Sequence, residues 1–315
     1  GSEIMTIDVL ADVLSVGQVS NQLVCYSEFP EFTGIYFDDP NMASFHIVRR
    51  GSVWARHNKD ADPVLLEEGD IVFYSNNPWH AISRHVDNPV KHISVMQDTL
   101  GSISAEHGPT RDDSTCMFCG AYELVGDMKH PFFSQLPPVI HIPAEQTKND
   151  KNLRDLMPLL IREGTSEEVG SSIVLSKLMD ALLIYIIRVW IRSTSEKNTG
   201  WLVALKDPKI GEAISLMHRS PKEKWTIDRL AKEVSMSRAS FAKKFTQSTG
   251  ESPGIYLTRW RMDLSVKLLR ESNLPLMDIA NAVGYESDTA YSRVFKKQRG
   301  ESPGEYRSSY RLNQL

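Results

Sequence analysis

The chain has 315 residues, 41% of them hydrophobic and 24% charged, which predicts an ordinary folded protein of about two domains rather than a disordered or fibrous one. Its net charge of −4 is divided unevenly: residues 1–204 carry 16 Lys and Arg against 27 Asp and Glu, whereas residues 205–315 carry 20 against 13. The basic C-terminal part therefore predicts a nucleic-acid partner for that part alone. Three charged residues interrupt the most apolar stretch, 173–191, so no membrane span is expected, and the lack of a secretion signal predicts a cytoplasmic protein.

Residues 21–143 show a pattern of short strands separated by turns. Apolar and β-branched runs at 45–48, 51–55 and 69–74 alternate with turn-forming clusters such as 38–41. Short strands at such close spacing predict a β-sandwich or barrel.

The pattern changes to helices after Pro143. We predict a short helix at 152–163 and a longer one at 171–195, whose surface is Leu, Ile, Val, Trp and Tyr on most sides. A helix this apolar must be covered over most of its surface, either by the barrel or by a second copy of the chain. We therefore expect a homodimer, with burial inside one chain as the alternative.

An internal repeat is the strongest signal in the basic part. The pentapeptide Gly-Glu-Ser-Pro-Gly at 250–254 returns at 300–304, an offset of 50 residues, whereas the upstream segments 230–234 and 279–283 are offset by 49. The extra residue of the second copy is predicted to lie in the turn around 284–286, where an insertion costs little free energy.

Each copy of the repeat predicts a helix, a short turn and a second helix. In the first copy Ser237 is a good N-cap, and Phe241 and Phe245 share the buried face because they are four residues apart. In the second copy Tyr291 and Phe295 take the corresponding places. The pattern is therefore that of two helix-turn-helix units.

Two such units are suited to binding duplex DNA. A helix fits the major groove, where short polar or basic side chains near its N-terminus reach base edges. A long helix from Pro253 to about Arg270 is predicted to join the units, so that two recognition helices can enter major grooves about 34 Å apart. The alternative, an all-helical protein-binding module, would show no salt-dependent DNA binding.

The C-terminal part resembles the DNA-binding domain of the AraC/XylS family of transcription regulators over about 100 residues. The hallmark is the segment 284–287 followed by 293–297 and 300–307. The resemblance implies a set of DNA-facing residues on the two recognition helices: Ala239, Ala242, Lys243 and Lys244 on the first, and Asp288, Thr289, Ser292, Arg293 and Lys296 on the second.

The first recognition helix departs from the family pattern. Ala239 and Ala242 stand where larger, polar side chains are common, and alanines can touch a thymine methyl but cannot donate hydrogen bonds. We therefore expect this helix to read sequence weakly, with Lys243 making most of its contact. Arg293, on the second helix, is the best single candidate for a guanine contact.

The N-terminal part resembles the cupin-like sensor domains of the same family. Residues 69–74 followed by 78–80 resemble the second cupin motif, and 45–51 resembles the strand that closes the first. The His-x-His pair of metal-binding cupins is missing. His80 remains as the one histidine of the motif, and one histidine cannot build a metal site of three or four ligands. The resemblance implies a ligand pocket without metal or other cofactor, and a cupin-type metal-dependent enzyme fused to a DNA-binding module is the alternative. Its candidate effector residues are His46, Trp54 and His80.

The cysteines leave several interpretations open. The chain has three cysteines, an odd and small number that does not predict a disulfide scaffold. The Cys-x-x-Cys spacing of Cys116 and Cys119 would let two sulfurs approach each other or bind one metal ion. Three interpretations fit this spacing: packing of both cysteines within a strand, a zinc site, and redox sensing. Histidines that could complete a zinc site are His107, His130 and His141.

A further resemblance concerns the cysteines. Cys25, together with the later stretch 114–120, resembles regulators that respond to reactive chlorine. If a low-pKa thiolate is oxidised first and a neighbouring thiol resolves it, the resemblance implies Cys25 and Cys116 as the pair to test, with Cys119 as a further candidate.

The predicted protein is an α+β multidomain regulator, with an N-terminal cupin-like β-barrel, flanking helices and a C-terminal all-α domain with two helix-turn-helix units. We expect it to bind promoter DNA sequence-specifically under the control of a small molecule or oxidant, to contact RNA polymerase and to have no enzymatic activity. Its predicted segments are a sensor domain at 1–150, a helical dimerisation segment at 151–196, a linker at 197–206 and the DNA-binding domain at 207–310.

Overall fold

The chain forms two compact units. The N-terminal unit comprises residues 19–124 and 137–195, and the C-terminal unit comprises residues 196–315 with 1–18 and 125–136. None of the helices in the described part of the chain is long and apolar enough to cross a membrane. The computed structural model describes residues 9, 11–13, 15, 18–39, 42–75, 79–96, 113–124, 132, 135–193 and 200–312.

The N-terminal unit is built on two five-stranded sheets, with strand orders β1-β9-β3-β6-β10 and β5-β4-β7-β2-β8. Strands β3, β4 and β6 contain the predicted apolar runs, which confirms the predicted fold of short strands. The strands β1 to β10 are Gln18–Glu28, Gly34–Phe37, Met42–Arg50, Ser52–Arg56, Val64–Glu67, Ile71–Tyr74, His80–Ser83, Val90–His92, Cys116–Leu124 and Val139–Ile142.

Alternation along the strands divides their side chains between an apolar core and the outer faces. In β4, for example, Val53 and Ala55 are fully buried whereas Trp54 between them is half-buried on the opposite face. The buried residues of this core are Phe29, Ile35, Val48, Val53, Ala55, Leu66, Val72, Tyr74, Ile82, Met96 and Met117.

Two helices of the N-terminal unit, Lys151–Gly164 and Ser171–Ser193, match the predictions at 152–163 and 171–195 closely. The helices of this unit are α1 (Ile93–Met96), α2 (Ala144–Asn149), α3 (Lys151–Gly164) and α4 (Ser171–Ser193). Tyr122 on β9 donates a hydrogen bond of 2.6 Å to the carbonyl oxygen of Met179, which ties α4 to the sheet. One face of α4 is therefore buried within the chain, while Ile173 and Val174 in its first turn are exposed.

The C-terminal unit is helical. Its helices α5 to α12 are Trp201–Lys206, Pro208–Arg219, Ile227–Glu233, Arg238–Thr249, Pro253–Glu271, Leu276–Ala282, Asp288–Arg299 and Pro303–Leu312.

The second half of the predicted linker is not a linker. Residues 201–206 form α5, with Trp201 and Leu205 buried, and the Trp201 indole N–H donates to the Tyr256 hydroxyl at 3.1 Å. Four buried apolar residues within about one and a half turns hold this short helix in the C-terminal unit.

The two copies of the repeat have the predicted structure. Ser237 and Ser287 cap α8 and α11, each accepting a hydrogen bond from the backbone N–H three residues later. The preceding turns are closed by equivalent backbone hydrogen bonds of 2.8 Å, from Met236 N–H in one copy and Tyr285 N–H in the other. The extra residue of the second copy therefore falls between Tyr285 and Ser287, in the predicted turn.

The two turns differ in their left-handed residue. Ser235 has φ of +52°, and Gly284 at the equivalent position has φ of +89°. A side chain in this region costs roughly 1–2 kcal/mol, so Ser235→Gly should stabilise the C-terminal unit by about 0.5–1 kcal/mol after glycine's own entropy cost. Gly284→Ala should destabilise it by more than that, because a Cβ would lie 2.9 Å from the Lys222 Cα. Opposite shifts in the midpoint of urea unfolding would support both expectations, and equal shifts would contradict them.

The long helix α9 joins the two helix-turn-helix units of the C-terminal domain. Tyr256, Trp260 and Asp263 lie on its buried face. Leu264 and Leu268, which the periodicity also predicts to be inward, are only half-buried. Several other helices pack on α9, so its buried surface is wider than one apolar stripe and includes the charged residues Arg259 and Asp263.

Candidate nucleic-acid interface and sensor cavity

The surface of α8 is divided between a buried aromatic face and an open face. The Phe241 and Phe245 rings pack with their centroids 5.7 Å apart. Ala239 and Lys243 are exposed and Ala242 is half-buried. A cap, two buried aromatic rings and an open face of short or basic side chains are the requirements of a helix that enters a major groove.

Helix α11 repeats this division. The Tyr291 and Phe295 rings are 5.8 Å apart and buried, and Ser292 is half-buried. The other candidates of this helix are exposed: Asp288, Thr289, Arg293 and Lys296. The burial classes of α8 and α11 agree at each position from the first residue to the eleventh, at an offset of 50 residues. The open faces of the two helices are therefore equivalent surfaces.

Lys244 differs from the other candidates because its charge is already paired. Its ammonium group forms an ion pair with Asp207, the N-cap of α6. Although burial opposes the effect, hydrogen bonds from Lys244 and from the N–H groups of Ile210 and Lys209 lower the pKa of Asp207 below its ordinary value. Lys244 thus anchors the end of another helix, which the spacing along α8 alone did not reveal.

A buried ionic cluster connects α9 to both copies of the repeat. The Asp263 side chain is fully buried and forms ion pairs with Arg299, the last residue of α11, and with Arg259. Arg259 in turn pairs with Glu251, which follows α8. These contacts hold α9 against the C-terminal end of α11 and against the segment that follows α8.

This buried cluster was not predicted from the sequence, although the repeat contains a signal for it. Thr249 ends the first recognition helix and is 4% exposed. At the equivalent position Arg299 has a side chain that is only 2% exposed. A basic residue at a buried repeat position requires a buried acid nearby.

The N-terminal unit contains a cavity of about 330 Å³ within the sheets. Its wall is mainly apolar and includes Phe29, Ile35 and Phe37. Its exposed lining residues, which mark the open end, are Asp38, Asp39 and Ser94. Ligand pockets in proteins have volumes of about 300–1,000 Å³ and similar walls, so this cavity has room for a small organic molecule.

Two of the candidate histidines meet at this cavity. His46 lines it, and the Nε2 atoms of His46 and His80 are 3.0 Å apart. His80 also stacks on Tyr74, with ring centroids 3.6 Å apart. Burial and the neighbouring His80 hold the pKa of His46 well below its ordinary value, so its imidazole is neutral at physiological pH.

Trp54, the third candidate effector residue, lies elsewhere. Its side chain is on the opposite face of β4 from the core residues Val53 and Ala55, and it is not among the residues that line this cavity. The alternation of side chains along a strand decides this, and the sequence did not reveal which face of β4 is inward. The rim residue His92, bonded to Asp38 at 3.0 Å, was not predicted.

The Cys25 thiol is hydrogen-bonded to Cys119, and not to Cys116, the partner that the resemblance implies. Cys25 on β1 and Cys119 on the adjacent strand β9 both line the cavity. A hydrogen bond from the Cys119 thiol lowers the pKa of Cys25, against the effect of burial, and the same bond raises the pKa of Cys119 well above its ordinary value.

Cys116 lies on the other face of β9. Residues three apart on a strand point to opposite faces, so the Cys-x-x-Cys spacing separates the two sulfurs here instead of bringing them together. Cys116 is buried, and burial raises the pKa of its thiol. In the described part of the chain no three His, Cys, Asp or Glu side chains are grouped as a metal site. His141 instead bonds to Asp70 at 3.0 Å, and His107 and His130 lie outside the described residues.

Comparison with known proteins matches both units. The profile of a cupin family matches residues 8–192, and that of a helix-turn-helix domain matches residues 230–309. The first match spans more than half of the chain and includes the cavity, and the second includes both recognition helices.

Three curated relatives cover most of the chain. A putative AraC-like transcription regulator of Streptomyces antibioticus is 29% identical over 91% of this chain and 94% of its own length. The HTH-type transcriptional regulator AlkR of Acinetobacter baylyi is 32% identical, over 79% and 82%. The RCS-specific HTH-type transcriptional activator RclR of Escherichia coli K12 is 30% identical, over 73% and 72%.

Proposed function

This chain belongs to the AraC-like transcription regulators, which join a cupin domain to a helix-turn-helix DNA-binding domain, and on that premise we propose that α8 and α11 are its two recognition helices. Each enters one of two successive major grooves on the same side of the duplex. We propose direct DNA contacts for the candidates whose side chains are free to reach it: Ala239, Ala242, Lys243, Asp288, Thr289, Ser292, Arg293 and Lys296.

The observation that carries this proposal is the equal burial of the two helices at an offset of 50 residues. Ala239 and Thr289 occupy one equivalent position, and Lys243 and Arg293 occupy another. Both helices therefore offer the same positions to a groove, but α11 carries more hydrogen-bonding groups. We propose that α11 reads bases directly, while α8 contributes phosphate contacts and apolar contacts to thymine methyl groups.

The signal is proposed to enter at the cavity of the N-terminal unit, as a small molecule or an oxidant that changes promoter binding. The Cys25–Cys119 pair and the lining His46 support this location. In this proposal the cavity binds its ligand without catalytic turnover. We further propose that RNA polymerase is a partner and that two copies associate through the exposed first turn of α4, where Ile173 is 68% exposed.

Selection from a pool of random duplexes tests the DNA-binding proposal with the full chain. We expect enriched sequences to contain two half-sites about 10–10.5 base pairs apart, because both helices must face the same side of the duplex. Affinity should fall steeply with salt as Lys and Arg release counterions from the phosphates. Enrichment of a single uninterrupted half-site, or binding that is insensitive to salt, would contradict the proposal.

A further inference from the structure

Three cavity-lining residues lie side by side on neighbouring strands. Cys119 on β9 is paired in register with His46 on β3, and β1, which carries Cys25, lies on the other side of β9. All three side chains line the same cavity. A thiol, a second thiol and an imidazole thus form a row across one wall.

The Cys25 sulfur is surrounded by hydrogen-bond donors. It receives hydrogen bonds from the thiol and the backbone of Cys119 and from the Ser27 side chain. Donors directed at a sulfur stabilise its thiolate, which is the nucleophilic form. Cys116, on the other face of β9, is hydrogen-bonded to the Tyr26 hydroxyl, but burial raises the pKa of its thiol and it lies outside the cavity lining.

His46 has an unused hydrogen-bonding atom. Its Nε2 faces His80, whereas its Nδ1 is buried without a hydrogen-bond partner among the described residues. A buried polar atom without a partner costs about 1–3 kcal/mol, and a ligand group that bonds to it would recover part of that cost. His46 lines the cavity, so a ligand oxygen that reaches this atom from the cavity would satisfy the requirement.

The remaining lining restricts the ligand further. Most of the wall is apolar, and the carboxylates of Asp38 and Asp39 lie at the open end, where they disfavour anions. At about 330 Å³ the cavity has space for an organic ring. A peroxide-sized oxidant would need neither this space nor the His46 atom.

From this arrangement we infer that the cavity captures small, neutral α,β-unsaturated carbonyl compounds, with Cys25 as the nucleophile and His46 Nδ1 as the partner of the carbonyl oxygen. This inference rests on the proposed function, since it names the class of signal molecule that the cavity would take.

The capture step is an addition and requires no oxidant. The Cys25 thiolate forms a bond from sulfur to the β-carbon, and the π electrons of the carbon–carbon double bond move toward the carbonyl oxygen to give an enolate. A proton from water then adds to the α-carbon, and the hydroxide left behind takes up the proton that the Cys25 thiol released on ionisation. The net change is addition of one S–H across one C=C bond.

Labelling of the full chain with cyclohexenone, followed by peptide mass spectrometry, tests the inference. We expect one adduct, on Cys25, formed about tenfold faster than with free cysteine at neutral pH, and a rate that saturates as the enone concentration rises. Cys119→Ala, which removes the thiol that donates to the Cys25 sulfur, should slow the labelling several-fold. Cyclohexanone should compete at lower concentration than cyclohexene, which has a similar ring but no oxygen to bond His46.

Two controls make the test decisive. Cys116→Ser should leave the rate of Cys25 labelling unchanged. Relative to its own rate with free cysteine, the anionic enone acetylacrylate should gain less than cyclohexenone does, because of Asp38 and Asp39. Preferential labelling of Cys116, a rate that never saturates, or equal competition by cyclohexanone and cyclohexene would each overturn the inference.

The same samples separate this inference from the proposed function. Unlabelled Cys25→Ser and Cys25→Ala variants should bind the selected duplex with the affinity of the parent, whereas labelling should change the affinity of the parent alone. If the Cys25 variants bind DNA normally and the parent shows no saturable labelling, the enone inference fails and the DNA-binding proposal stands. If the parent does not bind duplex DNA at all, the proposed function fails whatever the labelling result.

Discussion

Replacing Asp263 with asparagine is expected to destabilise the C-terminal unit by about 3–5 kcal/mol. The Asp263 carboxylate is fully buried between the guanidinium groups of Arg259 and Arg299. Without its charge, two buried cations would face each other with only Glu251 left to balance them. The loss is large because the cost of burying these cations remains after their partner has gone.

The measurement is urea unfolding combined with hydrogen exchange of the peptides from α9 and α11. Glu286→Gln is the matched control, since Glu286 pairs with Lys224 at 2.7 Å but both side chains are more than 80% exposed. Solvent screens an exposed pair, which therefore contributes little to stability, so this control should scarcely change the midpoint. If Asp263→Asn and Glu286→Gln had equal effects, the buried cluster would not be the element that holds α11 on α9.

Replacing Arg293 with alanine is expected to weaken binding to the selected duplex by about 1–3 kcal/mol, or roughly 5- to 150-fold. Arg293 is exposed on the open face of α11, and its guanidinium can donate two hydrogen bonds to guanine O6 and N7. The variant should also accept other bases at one position of the second half-site, because a base contact carries sequence information that a phosphate contact lacks.

Two further variants distinguish base reading from charge. Lys297→Ala removes one exposed positive charge from the same helix but from outside the proposed base-reading set, so it should weaken binding to all sequences alike and reduce the salt dependence. Arg293→Lys keeps the charge but loses the planar pair of donors, and we expect relaxed base selection. Unchanged base preference in both Arg293 variants would remove this residue from the recognition surface.

The helix-turn-helix units were predictable because their determinants are local. Ser237 and Ser287 cap the helices that follow them, and the aromatic residues four apart, such as Phe241 and Phe245, face inward. Helical periodicity, caps and turns depend on neighbours within a few residues, and a repeated sequence displays them twice. For the same reason the lengths of α3 and α4 were predicted to within about two residues.

What the sequence could not determine depends on strand order and on contacts between distant segments. The order β1-β9-β3 places Cys25 beside Cys119, and strand alternation turns Cys116 to the opposite face and Trp54 away from the core. Asp263 meets Arg299 across 36 residues, and Lys244 is held by Asp207 on another helix. Such pairings follow from how whole elements pack, since partners far apart in the chain share no local pattern. The residue types of the cavity and of the DNA-facing helices could therefore be predicted from the sequence. Only the tertiary structure decided which of these residues face one another.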